Sequence, residues 1–163
     1  MVDLSWSRSQ LLLSASLDQS VRLWHASRSE CLHKFLHPEA VSSVAFHPSE
    51  DRYFVTGCFD QKLRVWSLET GRVVLWHATA AVITAVAFSP DARFVACGLY
   101  TGLVTLYHTD GLRYHTQVEC RNRSGSLRKG RKVTGLDFAR GGSHLLVTTN
   151  DSRVRLIALD DYS

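Results

Sequence analysis

Phe59-Asp60-Gln61-Lys62-Leu63-Arg64-Val65-Trp66 reads as a tight turn running into a strand, and it has a near copy 42 residues upstream, Leu17-Asp18-Gln19-Ser20-Val21-Arg22-Leu23-Trp24. Two weaker copies follow: Thr101…Val104-Thr105-Leu106-Tyr107 after 41 residues, and Asp151…Val154-Arg155-Leu156-Ile157 after another 50. Self-similarity at a period of about 40–45 residues marks a repeat architecture, in which a unit cannot bury its apolar face alone and leans on its neighbours. Function is then expected on a surface shared between units rather than in one pocket.

Outward from that stretch, each unit reads as four short strands. The quoted segment is the third. The first carries Val41, Val44 and Phe46 in unit two, Ile83, Val86 and Phe88 in unit three, and Val133, Leu136 and Phe138 in unit four, whereas unit one shows only Leu4 and Trp6. The second is a run of apolar and small residues at 11–16, 53–58, 94–98 and 145–149. The fourth is vaguer, at 31–35, 72–76 and 112–118. Turn chemistry separates the strands, as in Phe46-His47-Pro48-Ser49, Ser89-Pro90-Asp91-Ala92 and Ala139-Arg140-Gly141-Gly142. No segment sustains a helical period. Tight turns between consecutive strands predict antiparallel meanders, and four-stranded meanders repeated at this spacing predict a β-propeller.

The motifs then become specific. His37-x3-Val41-x2-Val44-x-Phe46, Thr56-Gly57-Cys58-Phe59-Asp60 and Leu63-Arg64-Val65-Trp66-Ser67 resemble successive parts of the WD40 repeat. That resemblance implies an all-β propeller and, within a blade, a hydrogen-bonded tetrad of His, Ser/Thr, Asp and Trp. It maps completely only onto His37, Thr56, Asp60 and Trp66, and in part onto Ser14, Asp18 and Trp24. Unit three offers Cys97, Thr101 and Tyr107, and unit four offers Val147, Asp151 and Ile157, so those blades are expected to hold by packing. A buried indole N–H needs an acceptor, and a buried carboxylate needs donors, which is why such a set belongs together. Further phrases, among them Ala45-Phe46-His47-Pro48, Tyr114-His115-Thr116-Gln117 and Asn150-Asp151-Ser152-Arg153, are similar to trafficking members of that family that bind a recycling-endosome Rab GTPase. They imply protein partners in vesicle traffic or small-GTPase pathways, in the cytoplasm and at endosomal membranes. In those members the GTPase-binding segment lies outside the propeller, so no residue here inherits that role.

The expected layout is blade one at 1–37, incomplete at its start, blade two at 38–78, blade three at 79–120, a basic loop at 121–132, and blade four at 133–163 without its last strand. WD40 propellers usually close with about seven blades, within a range of about four to eight for propellers in general. The chain is therefore expected to be an open array, either part of a longer propeller whose other blades are missing or one completed by a second copy.

Charge is local. The net charge is +4, yet Arg121, Arg123, Arg128, Lys129, Arg131 and Lys132 lie in one acid-free run, which leaves about −2 for the rest. A Gly/Ser-containing loop of this length between strands is unusual unless it is functional or disordered. It is the candidate binding loop, suited to an acidic protein or, as the alternative function, to an anionic membrane surface. Ser124 and Ser126 among the cations are candidate phosphosites that would cancel much of that charge. Nucleic acid is disfavoured because the run has no aromatic residue for base stacking.

Catalysis and cofactors find no support in the motifs. The eight histidines follow repeat positions without H-E-x-x-H spacing, G-x-S-x-G is absent, and the run from Gly125 to Gly130 is followed by Arg131-Lys132-Val133 rather than Lys-Ser/Thr. Four cysteines lack C-x-x-C spacing, and Cys58 and Cys97 fall where other repeats carry small strand residues, so they are expected to pack as small hydrophobes. The expected function is a non-catalytic protein-interaction scaffold with no metal and no cofactor, and a propeller-based enzyme is the least favoured class.

Overall fold

The computed structural model describes residues 1–120, 132–151 and 153–160 and is all-β, with four antiparallel sheets in a four-blade propeller arrangement. Sheet one holds β1 (Asp3–Trp6), β2 (Leu11–Ser16), β3 (Ser20–His25) and β4 (His33–Leu36). Sheet two holds β5 (Val41–Phe46), β6 (Tyr53–Cys58), β7 (Lys62–Ser67) and β8 (Arg72–Ala78). Sheet three holds β9 (Ile83–Phe88), β10 (Phe94–Leu99), β11 (Leu103–His108) and β12 (Arg113–Glu119). Sheet four has three strands among the described residues, β13 (Val133–Phe138), β14 (His144–Thr149) and β15 (Arg153–Ala158). Every sheet is a meander in sequence order, as the short turns require.

The outer strands depart from their expected bounds. β4 begins at His33 and leaves Cys31 exposed, while a short 3-10 turn at Asp110–Leu112 precedes β12. Their bounds were harder to read because outer strands are half solvated and their apolar alternation is weak: β8 alternates poorly, with Val74, Leu75 and Trp76 all exposed.

The core lies between blades. Leu13, Val21 and Phe35 of blade one pack against Val41, Phe54 and Trp66 of blade two. Leu63 and Val65 of blade two meet Ile83, Leu99 and Tyr107 of blade three. Val104 and Leu106 of blade three meet Val133, Leu145 and Ile157 of blade four. Each fully buried aliphatic or aromatic side chain contributes about 1.5–3 kcal/mol, so these seams carry most of the stability.

Two glycines make the seams close. A Cβ on Gly57 would lie 2.3 Å from Ile83 Cγ2, and one on Gly98 would lie 2.5 Å from Val133 Cγ1. Only glycine admits the next blade's β-branched residue at that depth. Hydroxyls span the same seams. Ser42 donates to the Ile83 carbonyl at 2.7 Å, and Thr84 donates to the Val133 carbonyl at 2.6 Å. Nearer the front of the chain, Asp3 accepts from the Ser43 hydroxyl at 2.6 Å and from the Val44 N–H at 2.9 Å, tying blade one to blade two. The inner strands β1, β5, β9 and β13 line one shared cavity of about 440 Å³.

Candidate functional site

The turn between the second and third strands of a blade builds one rim of the molecule. Its geometry follows from the quoted repeat. Gln19, Gln61 and Gly102 occupy equivalent turn positions with positive φ, at 65°, 62° and 85°. Asp one residue earlier accepts backbone or side-chain donors in the turn: Asp18 from the Ser20 N–H at 3.1 Å, and Asp60 from the Lys62 N–H at 3.2 Å. Each Asp also meets an arginine four residues on, as Asp18–Arg22 at 3.2 Å, Asp60–Arg64 at 2.5 Å and Asp151–Arg155 at 3.0 Å. This Asp-x3-Arg clamp was not singled out in the sequence, although its spacing is visible in three of the four copies.

The clamp carries different weight in each blade. Arg64 is almost wholly buried, whereas the Asp18–Arg22 pair is half solvated. Burial pushes the Asp60 carboxyl up, but hydrogen bonds and charge from Arg64 outweigh it and hold the group below its ordinary range. A hydrogen bond from Arg155, helped by Thr149, holds Asp151 at about 2. Blade three has Thr101 and Thr105 at the two positions, and the Thr101 hydroxyl is buried with no partner.

Beneath the clamp in blade two runs a relay. The Trp66 indole N–H donates to Thr56 Oγ1 at 3.2 Å. His37 Nδ1–H donates to the Phe35 carbonyl at 3.2 Å, which leaves Nε2 to accept the Thr56 hydroxyl at 3.1 Å. The His37 ring also lies 4.6 Å from the Trp66 ring. The structure thus joins His37, Thr56 and Trp66, and gives Asp60 to Arg64. Burial lowers the His37 pKa from 6.5 to about 4, so the ring is neutral, as the relay needs. In blade one Trp24 donates to Ser14 Oγ at 3.0 Å, while Asp18 stays with Ser20 and Arg22. The backbone places Thr79 and Cys120 where His37 sits: their N–H groups donate to Gln61 and Gly102 as the His37 N–H donates to Gln19.

The residue just before each clamp position projects outward. The N–H groups of Phe59, Tyr100 and Asn150 bond to Ala40, Val82 and Lys132, which fixes the three in equivalent places. Leu17, Phe59 and Tyr100 are 57%, 45% and 60% exposed. Leu17 and Phe59 share a depression of about 330 Å³ with Val2, Ser42, Thr84 and Lys132. Lys132 is the last cation of the basic run, and it stands on this rim. Arg121, Arg123, Ser124, Ser126, Arg128, Lys129 and Arg131 lie outside the described residues.

Cys58, Cys97 and Cys120 are buried. Burial pushes the Cys58 thiol up to about 11 and the other two upward as well, so they are protonated packing groups. Among the described residues no cluster of three or more His, Cys, Asp or Glu could hold a metal ion, and no helix is long and apolar enough to cross a membrane.

With this geometry in place, comparison with known proteins gives a consistent picture. The sequence matches the repeat family described as WD domain, G-beta repeat, over residues 2–25, 29–67 and 71–108. It is similar to WD repeat-containing protein 44 of Xenopus laevis, with 45% identity covering 100% of this chain and 18% of that protein. It is also similar to an uncharacterised WD repeat-containing protein of Schizosaccharomyces pombe, with 36% identity over 96% of this chain and 28% of that protein. Jouberin of Mus musculus is 23% identical over 96% of this chain and 16% of its own length. The chain thus spans less than a third of these relatives.

Proposed function

The chain belongs to the WD40 repeat family, whose members are generally protein-interaction scaffolds, and from that premise we propose that it is a non-catalytic docking platform whose recognition surface is the rim bearing Leu17, Phe59, Tyr100 and Lys132. One observation carries this reading: three successive blades set a large apolar side chain, about half exposed, at the same rim position. Scattered exposed apolar residues need no explanation, but here the exposed position recurs from blade to blade and two of its occupants, Leu17 and Phe59, share one depression, and apolar and aromatic anchors dominate binding energy at interfaces. The turns beneath are held by the Asp–Arg clamps of blades one and two, so the anchors are presented in a fixed geometry and little ordering is required on binding.

The finer assignment rests on the repeat phrases similar to trafficking scaffolds. The partners are proteins of vesicle traffic or small-GTPase pathways, met in the cytoplasm and at the periphery of endosomal membranes. Proximity labelling in cells, with the wild-type chain and a Leu17→Glu/Phe59→Glu/Tyr100→Glu variant of unchanged melting temperature, tests both levels. The variant is expected to lose endosomal and small-GTPase-pathway neighbours. An unchanged set of neighbours would remove the rim from consideration, and a set from another compartment would remove the trafficking assignment. The position of Lys132 on the rim favours a second reading, contact between the basic run and anionic lipid, each cation near the surface contributing about 1 kcal/mol. Phosphatidylserine vesicles that bind at low salt and release at high salt would select it.

A further inference from the structure

At the end of the blades opposite the rim, a cleft of about 550 Å³ opens between blades two and three, lined by Tyr53, Val65, Val74 and Leu75 on one side and by Thr109 and Asp110 on the other. Val74 and Leu75 are exposed on β8, the outermost strand of its sheet, and residues 73–77 of that strand carry no Lys, Arg, Asp or Glu. Exposed edge strands are ordinarily guarded by charge, because their free N–H and C=O groups invite another strand. The Thr109 hydroxyl in the cleft wall is shut away from solvent without a hydrogen-bond partner. A stranded polar atom of that kind has a free-energy cost, and its inaccessibility keeps it out of direct contact with anything entering the cleft.

His47 lines the cleft but is held neutral by burial, so the charged groups of the lining are acidic. Glu50 and Asp110 line it, and among the described residues no lysine or arginine does. Their own partners, Arg52 and Arg113, stand 3.4 Å away and are largely exposed. Exposed pairs at that distance contribute little and exchange readily for a better-placed cation.

We propose that this cleft docks a short extended segment of a partner protein, with its main chain along the free edge of β8, an aliphatic side chain between Leu75 and Ala92, and a lysine or arginine at Glu50 and Asp110. The mode is strand addition, in which main-chain hydrogen bonds give affinity and alternate side chains give specificity.

Panning a phage library of random short peptides on the whole chain tests this, with enriched sequences then measured as fluorescein-labelled peptides by anisotropy. Enriched peptides are expected to combine aliphatic residues with lysine or arginine. Val74→Glu is expected to weaken them about tenfold or more, and Asp110→Lys to shift preference toward peptides with Glu in place of the cation. The Asp110 side chain is 95% exposed, so Asp110→Lys reports on binding without threatening the fold. The rim variant with Leu17, Phe59 and Tyr100 replaced is expected to bind these peptides as the wild type does, which separates this site from the rim. No enrichment, enrichment of acidic sequences, or affinity that ignores either substitution overturns the proposal. Self-association of the chain abolished by Asp110→Lys also overturns it, by giving the cleft to a second copy.

Discussion

Blade two hangs its indole on a relay from Trp66 through Thr56 to His37 and the Phe35 carbonyl, whereas blade three has Tyr107, Cys97 and Thr79 in the same three places. The Asp60–Arg64 clamp of blade two likewise becomes Thr101 and Thr105 in blade three. The strand registers and seams of the two blades are nonetheless alike: Gly57 receives Ile83 as Gly98 receives Val133, and Ser42 reaches across its seam as Thr84 does. The difference teaches that the apolar columns and glycine notches make a blade, while the polar relay adds rigidity and a pH response to one already made.

The largest test of that contrast removes the indole. Trp66→Ala is expected to cost about 3–5 kcal/mol in urea unfolding, as for a large buried aromatic. Thr56→Val keeps the shape but strands the Trp66 N–H and the His37 acceptor, for a loss of about 2–4 kcal/mol, whereas Cys97→Val at the matching place in blade three is expected to cost less than about 1.5 kcal/mol. Equal losses at 56 and 97 would mean that the relay contributes nothing.

Acid provides the next test. The folded pKa of His37, about 4, lies below its ordinary 6.5, because burial disfavours the charged ring. The unfolded chain therefore takes up the proton first. The contribution of His37 to stability is complete above pH 6.5 and declines as pH falls toward 4, reaching a loss of about 3 kcal/mol. Asp60, held below its ordinary 3.8, changes its contribution only at lower pH. His47 is also held low by burial and acts in the same direction, so the His37→Gln variant isolates the relay. Hydrogen exchange of β6 and β7 is expected to quicken over this window in the wild type and to lose most of that response in His37→Gln, while β10 and β11, where burial also holds His115 low, respond in the same way in both proteins.

Reversed sign marks the smallest effect. Thr101→Val removes a buried, unpartnered hydroxyl and is expected to stabilise the chain by about 1 kcal/mol, whereas Asp60→Ala at the matching position leaves Arg64 buried and unpaired and destabilises it. A gain from both or a loss from both would break the comparison.

How much of this was legible follows from where each signal resides. The inner and middle strands announce themselves because Val41, Val44 and Phe46 and their counterparts must face a seam, and the turn residues between them cannot continue a strand. Burial of Cys58 and Cys97 follows from the same columns. The pairing of Asp60 with Arg64 was hidden because residue type alone leaves a carboxylate equally suited to His37, Thr56 or Arg64, and only the turn geometry decides. Thr79 and Cys120 were not recognisable as counterparts of His37 because their equivalence is a backbone bond, with no side-chain likeness to betray it. The rim residues Leu17, Phe59 and Tyr100 read as ordinary apolar positions, since exposure depends on the fold around them.

The glycine notches also set an order of assembly. Gly57 lies in β6 and its guest Ile83 opens the next blade; Gly98 lies in β10 and its guest Val133 opens the one after. In both cases the socket precedes the plug along the chain. A ribosome releases residues from the N-terminus, and units of a repeat array fold against the neighbour already present. Blades three and four therefore each emerge after the glycine socket that receives them. At those two seams translation supplies socket and plug in the order in which they dock, so the apolar face of the earlier blade waits only for the next strand to be synthesised.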